Sequence, residues 1–128
     1  MPNLLIVEDE PLVRRSLVRL LGEVFDCVAV TNGIEALEAL SQREFDLVIT
    51  DVNMPDLEGD ALILQVRRDN PRQKFFLCTA NYDRVHSLKG LGVPIFTKPF
   101  DPPGLLKAVC GATGVPLPDA LVGDQTLS

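Results

Sequence analysis

The sequence predicts an α/β domain, a doubly wound five-stranded parallel sheet with helices on both faces. Two observations carry that prediction. Five short apolar runs of strand length alternate with segments whose apolar residues recur at helical spacing. Strand–helix repeats at this spacing imply parallel pairing with crossover helices, and such crossovers are right-handed almost without exception. A chain of 128 residues is also the size of one domain with a sizeable core.

The first run, "LLIVED" (4–9), is a buried strand that ends in two acids. Val13, Leu17, Leu20, Leu21 and Val24 then fall at helical spacing, with Arg14, Arg15 and Arg19 on other faces, where a solvated surface is expected. "CVAV" (27–30) is the second strand. Asn32-Gly33 precedes "IEALEALSQRE", a helix in which Ile34, Leu37 and Leu40 share a side. "DLVITD" (46–51) is the third strand. Residues 58–69 form the third helix, with Ala61, Leu62 and Val66 inward and an end near Asn70-Pro71. "KFFLCTA" (74–80) is the fourth strand, 83–90 a short and weakly amphipathic helix, and "PIFTK" (94–98) the fifth strand. Residues 103–112 close the pattern as a fifth helix, with Pro102 or Pro103 suited to its first turn. The domain is thus expected over 1–113. Residues 114–128 have no strong period and read as a C-terminal tail or the start of a linker.

Composition removes several classes of function. The chain is 46% hydrophobic and 23% charged, which excludes a disordered chain. Its net charge of −6 argues against direct nucleic-acid binding, which needs a basic surface. Cys27, Cys78 and Cys110 are odd in number, widely spaced and in apolar surroundings, as buried free thiols in a reducing compartment would be. The N-terminus lacks the basic region of a signal peptide and no run reaches transmembrane length, so a soluble, cytoplasmic protein is expected. "GLG" at 90–92 lacks a third glycine and follows a helix, so it is no dinucleotide fingerprint. His86, the single histidine, lies on the weak fourth helix, away from the acids.

Chemistry is expected where an open parallel sheet binds ligands, beyond the carboxyl ends of its strands. Strand one delivers Glu8 and Asp9 there, strand three Asp51, strand four Thr79 and strand five Lys98, while strand two brings the less distinctive Thr31 and Asn32. Three clustered carboxylates repel, and one lysine does not balance them. An all-oxygen set without His or Cys suits a hard divalent cation such as Mg²⁺. Such a site can hold a phosphoryl group, with Asp51 as the carboxylate best placed to act as nucleophile.

"IVEDEP", "DVNMPDLEG", "TA" after the fourth strand and "KPF" after the fifth together resemble the receiver (CheY-like) domain of two-component response regulators, over residues 3 to about 113. The resemblance implies a flavodoxin-like strand order, 2-1-3-4-5. It implies that Asp51 accepts a phosphoryl group from a phosphohistidine and that Asp9, Asp51 and the backbone carbonyl of Asn53 bind Mg²⁺, with Glu8 acting directly or through water. Lys98 would pair with the phosphoryl oxygens, Thr79 would move to hydrogen-bond phosphorylated Asp51, and the Lys98-Pro99 bond would be cis. Phosphorylation would then switch an output surface of helix four, strand five and helix five.

The implied partner is a histidine kinase or histidine phosphotransfer protein, which the first helix and its arginines would meet. The output domain or protein stays unnamed, and a homodimer stays open. No catalysis is implied beyond the domain's own phosphotransfer and autodephosphorylation. The side chains of Asn53 and Asn81 would flank the path of attacking water; neither is a carboxylate, so a very short-lived phosphoryl state is not expected. Met1, directly before the first strand, favours an N-terminal or stand-alone receiver.

One position departs from the pattern. The aromatic residue often found three positions before the lysine is here Ile95, with Phe96 next to it. Either Ile95 is a muted switch or the strand shifts register and Phe96 substitutes.

Two other classes of function compete. A haloacid-dehalogenase-type phosphatase also uses a strand-end Asp and Mg²⁺, but its second Asp, two residues on, is Asn53 here, which cannot do general acid work. A receiver-like module that interacts without phosphorylation would not need the full acid–acid–Thr–Lys set.

Overall fold

The computed structural model of the protein describes residues 1–118. The elements alternate along the chain: β1 (Asn3–Val7), α1 (Pro11–Leu21), β2 (Asp26–Val30), α2 (Gly33–Gln42), β3 (Leu47–Asp51), α3 (Gly59–Asp69), β4 (Phe75–Thr79), α4 (Tyr82–Leu88), β5 (Ile95–Thr97) and α5 (Pro102–Thr113). All four strand pairs are parallel and the order is β2-β1-β3-β4-β5, as expected.

Alternation within the strands builds two cores. Leu4, Ile6, Leu47, Ile49, Phe76 and Cys78 face one side, where α1 adds Leu17 and Leu21 and α5 adds Leu105, Leu106 and Val109. Leu5, Val7, Val48, Phe75 and Leu77 face the other, where α2 adds Ala36, α3 adds Leu62, Ile63 and Val66, and α4 adds Leu88. Each fully buried Leu, Ile or Phe contributes about 1.5–3 kcal/mol relative to exposure. The central strands β3 and β4 are buried throughout, which is why they read as unbroken apolar runs rather than alternating ones.

Helix starts follow local chemistry. The Asn32 side chain accepts the Glu35 N–H at 2.8 Å, and the Glu35 carboxylate reaches back to the N–H and hydroxyl of Thr31, each at 2.7 Å. Prolines open α1 and α5, where a missing N–H costs nothing. Gly114 closes α5 in the left-handed region at φ 76°, which suits glycine.

Several sequence expectations change. Ile34 is exposed, and α2 packs through Ala36 with Leu37 and Leu40 beside it. On α3 the inward set is Leu62, Ile63 and Val66; Ala61 is exposed. The fourth helix is shorter than 83–90 and ends in a single 3-10 turn, Lys89–Leu91. Cys27, on the edge strand β2, is only half-buried. Val115 and Leu117, in the stretch expected to be tail, pack against the α1–α5 core, and the Val115 N–H donates to the Cys110 carbonyl at 3.0 Å. The rest of that stretch, 119–128, lies outside the described residues.

Candidate functional site

Parallel register brings four strand ends to one edge of the sheet. Val7 pairs with Thr50 and Asp51 with Cys78, so the residues just past β1 stand beside the end of β3. Thr79 pairs with Thr97, and the Lys98 N–H extends that ladder to the Thr79 carbonyl at 2.9 Å. The Lys98-Pro99 bond is cis.

Three of the expected side chains, Lys98, Glu8 and Asp51, meet at that edge. Lys98 Nζ donates to Glu8 Oε1 at 2.5 Å and to Asp51 Oδ2 at 3.1 Å. Glu8 is 1% exposed and Asp51 8%, whereas Asp9 faces solvent at the rim. Glu8, Asp9 and Asp51 each offer a carboxylate oxygen, and these lie within 4.8 Å of one another. Asn53 is exposed on the loop after Asp51. Thr79 is buried, and its hydroxyl accepts the Asn81 N–H at 3.0 Å, so it is engaged within its own loop.

Electrostatics show what this cluster lacks. Burial pushes the Glu8 carboxyl up to about 7; Asp51 beside it pushes the same way, and Lys98 opposes both. Burial works to lower Lys98, but its hydrogen bond to Glu8 and the charges of Asp51 and Glu8 prevail and raise it. Glu8 Oε2 is buried with no hydrogen-bond partner among the described residues. An orphaned buried carboxylate oxygen within an all-oxygen donor set fits a hard divalent cation, which would satisfy it and the surplus negative charge.

The loop after Asp51 is shaped by close backbone contacts. The Val52 N–H donates to the Cys78 carbonyl and the Gly59 N–H to the Val52 carbonyl, each at 2.9 Å. Met54 is buried beneath the loop, and Asp56 sits in the left-handed region at φ 70°, which Asp tolerates better than most residues.

A model of the response regulator receiver domain matches residues 4–110. The chain belongs to that family. Receiver domains of its kind occur in sensors and in transcriptional regulators, and both appear among its relatives. It is 37% identical over 90 residues to the sensor protein EvgS of Escherichia coli, a match covering 70% of this chain and 8% of that protein. It is 32% identical over 100 residues to the DNA-binding transcriptional regulator NtrC of Escherichia coli, covering 75% of this chain and 21% of that protein. The receiver chain therefore spans only a small part of the curated relatives it matches.

Among solved structures, it is similar to the signal receiver domain of a signal transduction histidine kinase from Syntrophus aciditrophicus. That pair has a TM-score of 0.82 and 30% identity, covering 89% of this chain and 91% of that one. It is also similar to the response regulator TrrA of Thermotoga maritima, solved in complex with Mg²⁺–BeF. There the TM-score is 0.80 and the identity 29%, over 88% of this chain and 99% of that one. The domain has a phosphorylation-activated signalling role, and the phosphatase alternative is not favoured.

The receiver structure also decides two readings of its sequence. The β4–β5 register is unshifted, with Leu77 opposite Ile95 and Cys78 opposite Phe96. Ile95 therefore packs on the α3–α4 side, and Phe96 lies tilted against Phe76 in the opposite core, ring centroids 4.9 Å apart, so no register shift puts Phe96 in the place of Ile95. Arg14 is not simply solvated: its guanidinium donates to the Glu8 carbonyl at 2.9 Å and braces the acid turn. The Asn81 side chain caps α4, accepting the Asp83 N–H at 3.0 Å. Glu58, at the start of α3, is paired with Arg84 at 2.9 Å. Sequence reasoning passed over Arg84 altogether, since nothing in its spacing links it to residues 24 to 31 positions away.

An apolar groove of about 320 Å³ opens beside Lys98, between α1 and the β5–α5 loop, lined by Leu12, Val13, Leu17, Leu20, Pro99 and Phe100. Leu12 is 67% exposed there. No helix among the described residues is long and apolar enough to cross a membrane.

Proposed function

We propose that Asp51 accepts a phosphoryl group from a phosphohistidine on a histidine kinase or histidine phosphotransfer protein. The observation that carries this reading is the bridge from Lys98 to both Glu8 and Asp51, which presents one carboxylate and one fixed cation at the open end of the sheet. A carboxylate oxygen of Asp51 attacks phosphorus, the N–P bond breaks, and its electron pair leaves with the imidazole. Lys98 exchanges Asp51 for the transferred phosphoryl oxygens and orients them. Glu8, Asp9, Asp51 and the main-chain carbonyl of Asn53 would hold Mg²⁺, which when bound neutralises the negative charge that phosphoryl transfer brings into the site. TrrA, solved with Mg²⁺–BeF, supports this assignment by similarity.

Thr79 then leaves Asn81 and bonds the phosphoryl group, which shifts the face of α4, β5 and α5 toward its active arrangement. The apolar groove beside Lys98 suits a helix of the phosphodonor, with Arg15 and Arg19 on the exposed side of α1 meeting acidic residues. Residues 1–113 act as the receiver unit in the cytoplasm, and the domain catalyses only its own phosphotransfer and autodephosphorylation.

Acetyl phosphate with Mg²⁺ tests the assignment. Intact-protein mass spectrometry should show one added phosphoryl group, lost with EDTA and lost in Asp51→Asn. A label that persists in Asp51→Asn would overturn it.

A further inference from the structure

The geometry points to Arg84 as a positioning residue that prolongs the phosphoryl state on Asp51 by holding the side chain of Asn53, two residues beyond it, in one orientation. The inference rests on the reading of Asp51 given above. Arg84 lies in the first turn of α4 and reaches across to the β3–α3 loop. One guanidinium nitrogen donates to Asn53 Oδ1 at 2.8 Å and to Glu58 Oε2 at 2.9 Å, and another to Asp60 Oδ2 at 3.3 Å. Its side chain is 27% exposed, so most of it is withdrawn from water. Partly exposed ion pairs of this kind add little stability, about 0–1 kcal/mol, so the consequence to seek is positional.

The position is specific. Asn53 is two residues beyond Asp51 on the same loop. Arginine carries donors only, so the atom of Asn53 that faces it must be the amide oxygen. One lone pair of that oxygen is taken by the guanidinium, and the amide is held turned toward α4. On the other loop, Thr79 is tied to Asn81, and Asn81 caps the helix that carries Arg84. The two loops that border Asp51 are thereby fastened to each other through one side chain.

Hydrolysis of an aspartyl phosphate needs a water molecule aimed at phosphorus. The water oxygen bonds to phosphorus, the bond from phosphorus to the Asp51 oxygen breaks, the carboxylate is restored, and both water hydrogens leave on inorganic phosphate. Aiming that water requires an acceptor for one of its hydrogens. The amide oxygen of Asn53, two residues beyond Asp51, is such an acceptor, and its bond to Arg84 fixes the direction in which it points, so it does not turn to follow the water. Loss of Arg84 frees the acceptor and shortens the phosphoryl lifetime.

The test measures decay of the full chain labelled with radioactive acetyl phosphate and Mg²⁺, after removal of the donor. Arg84→Ala should decay faster than wild type by about threefold or more. Arg84→Lys, which keeps the charge without the fork, should fall between them. In an Asn53→Ala background, Arg84→Ala should add nothing, an outcome that general loosening of the fold would not give. Thermal melting checks that each variant is folded, and Arg84→Gln replaces the alanine variant if it is not. Equal decay of wild type and Arg84→Ala overturns the inference, as does an acceleration that survives Asn53→Ala. A wild type that takes no label, or a label that persists in Asp51→Asn, removes the reading of Asp51 itself and the inference with it.

Discussion

The main-chain carbonyl of Asp51 leaves no room for a side chain at Gly59: a Cβ there would lie 2.2 Å from that oxygen. The start of α3 is thus pressed against the backbone of the proposed acceptor. Gly59 is needed for this close approach, not for an unusual backbone angle, because its φ lies outside the left-handed region. Gly59→Ala should displace the loop, cost about 2–3 kcal/mol as overpacking does, and lower the folding midpoint in urea accordingly. Labelling by acetyl phosphate should slow by about tenfold or more, the equivalent of about 1.4 kcal/mol in the barrier. A variant with wild-type stability and labelling would show that the loop has room to give.

Removal of Lys98 should be costly for a different reason. Lys98→Ala leaves Glu8 and Asp51, both buried, facing each other without a cation. Breaking a buried pair from one side costs about 3–5 kcal/mol; proton uptake by Glu8 relieves part of this, so about 2–3 kcal/mol is expected in the absence of divalent cations. Chemical denaturation in EDTA measures it, and added Mg²⁺ should restore more stability to the variant than to wild type.

Phe96 and Ile95 should separate stability from switching. Phe96→Ala removes the tilted ring contact with Phe76 and should cost about 2–3 kcal/mol, less than a fully buried Phe because Phe96 is half-buried. It should leave the acetyl phosphate labelling rate within about twofold of wild type, a change of about 0.4 kcal/mol in the barrier. Chemical shifts of α4 amides in the BeF-treated protein should respond to Ile95→Ala and not to Phe96→Ala. The reverse pattern would place the switch on Phe96.

Thiol chemistry gives a pH dependence. Burial, helped by the charge of Asp26, pushes the Cys27 thiol up to about 11 from an ordinary value of 9.0. The folded state therefore holds this proton more tightly than the unfolded chain, and the thiol's contribution to stability is intact below pH 9, then declines as pH rises toward 11. The rate of Cys27 alkylation by iodoacetamide, followed by peptide mass spectrometry, should have its inflection near pH 11. An inflection near 9 would mean that the edge strand opens faster than the thiol reacts.

Removal of divalent cations should lower the melting temperature, because an ion that binds only the folded state stabilises it by mass action. At ten times its dissociation constant, Mg²⁺ would add about 1.4 kcal/mol. Asp9→Asn, which removes an exposed member of the acid set, should shrink that increment without disturbing the core. An equal increment in the variant would exclude Asp9 from the cation site.

The sequence by itself determined the five strands, their parallel pairing and the residues at their ends. These follow from local quantities: apolar runs in β3 and β4, helical spacing in α1, and acids or a lysine directly after a strand. Only the tertiary structure decided which of those residues touch. Lys98 reaches Glu8 across 90 positions, and no spacing rule encodes that distance. Ile34 is at the right period for the core, yet it lies outside it, because α2 turns Gly33 and Ala36 toward the sheet and Gly33 meets the Leu57 backbone. The opposite facings of Ile95 and Phe96 needed the observed β4–β5 register, since one residue of slip would exchange them. Arg84 had no signal at all, because a charge on a helix is ordinary until the fold supplies its three acceptors. Local periodicity fixes elements; contacts between distant residues depend on how those elements are stacked.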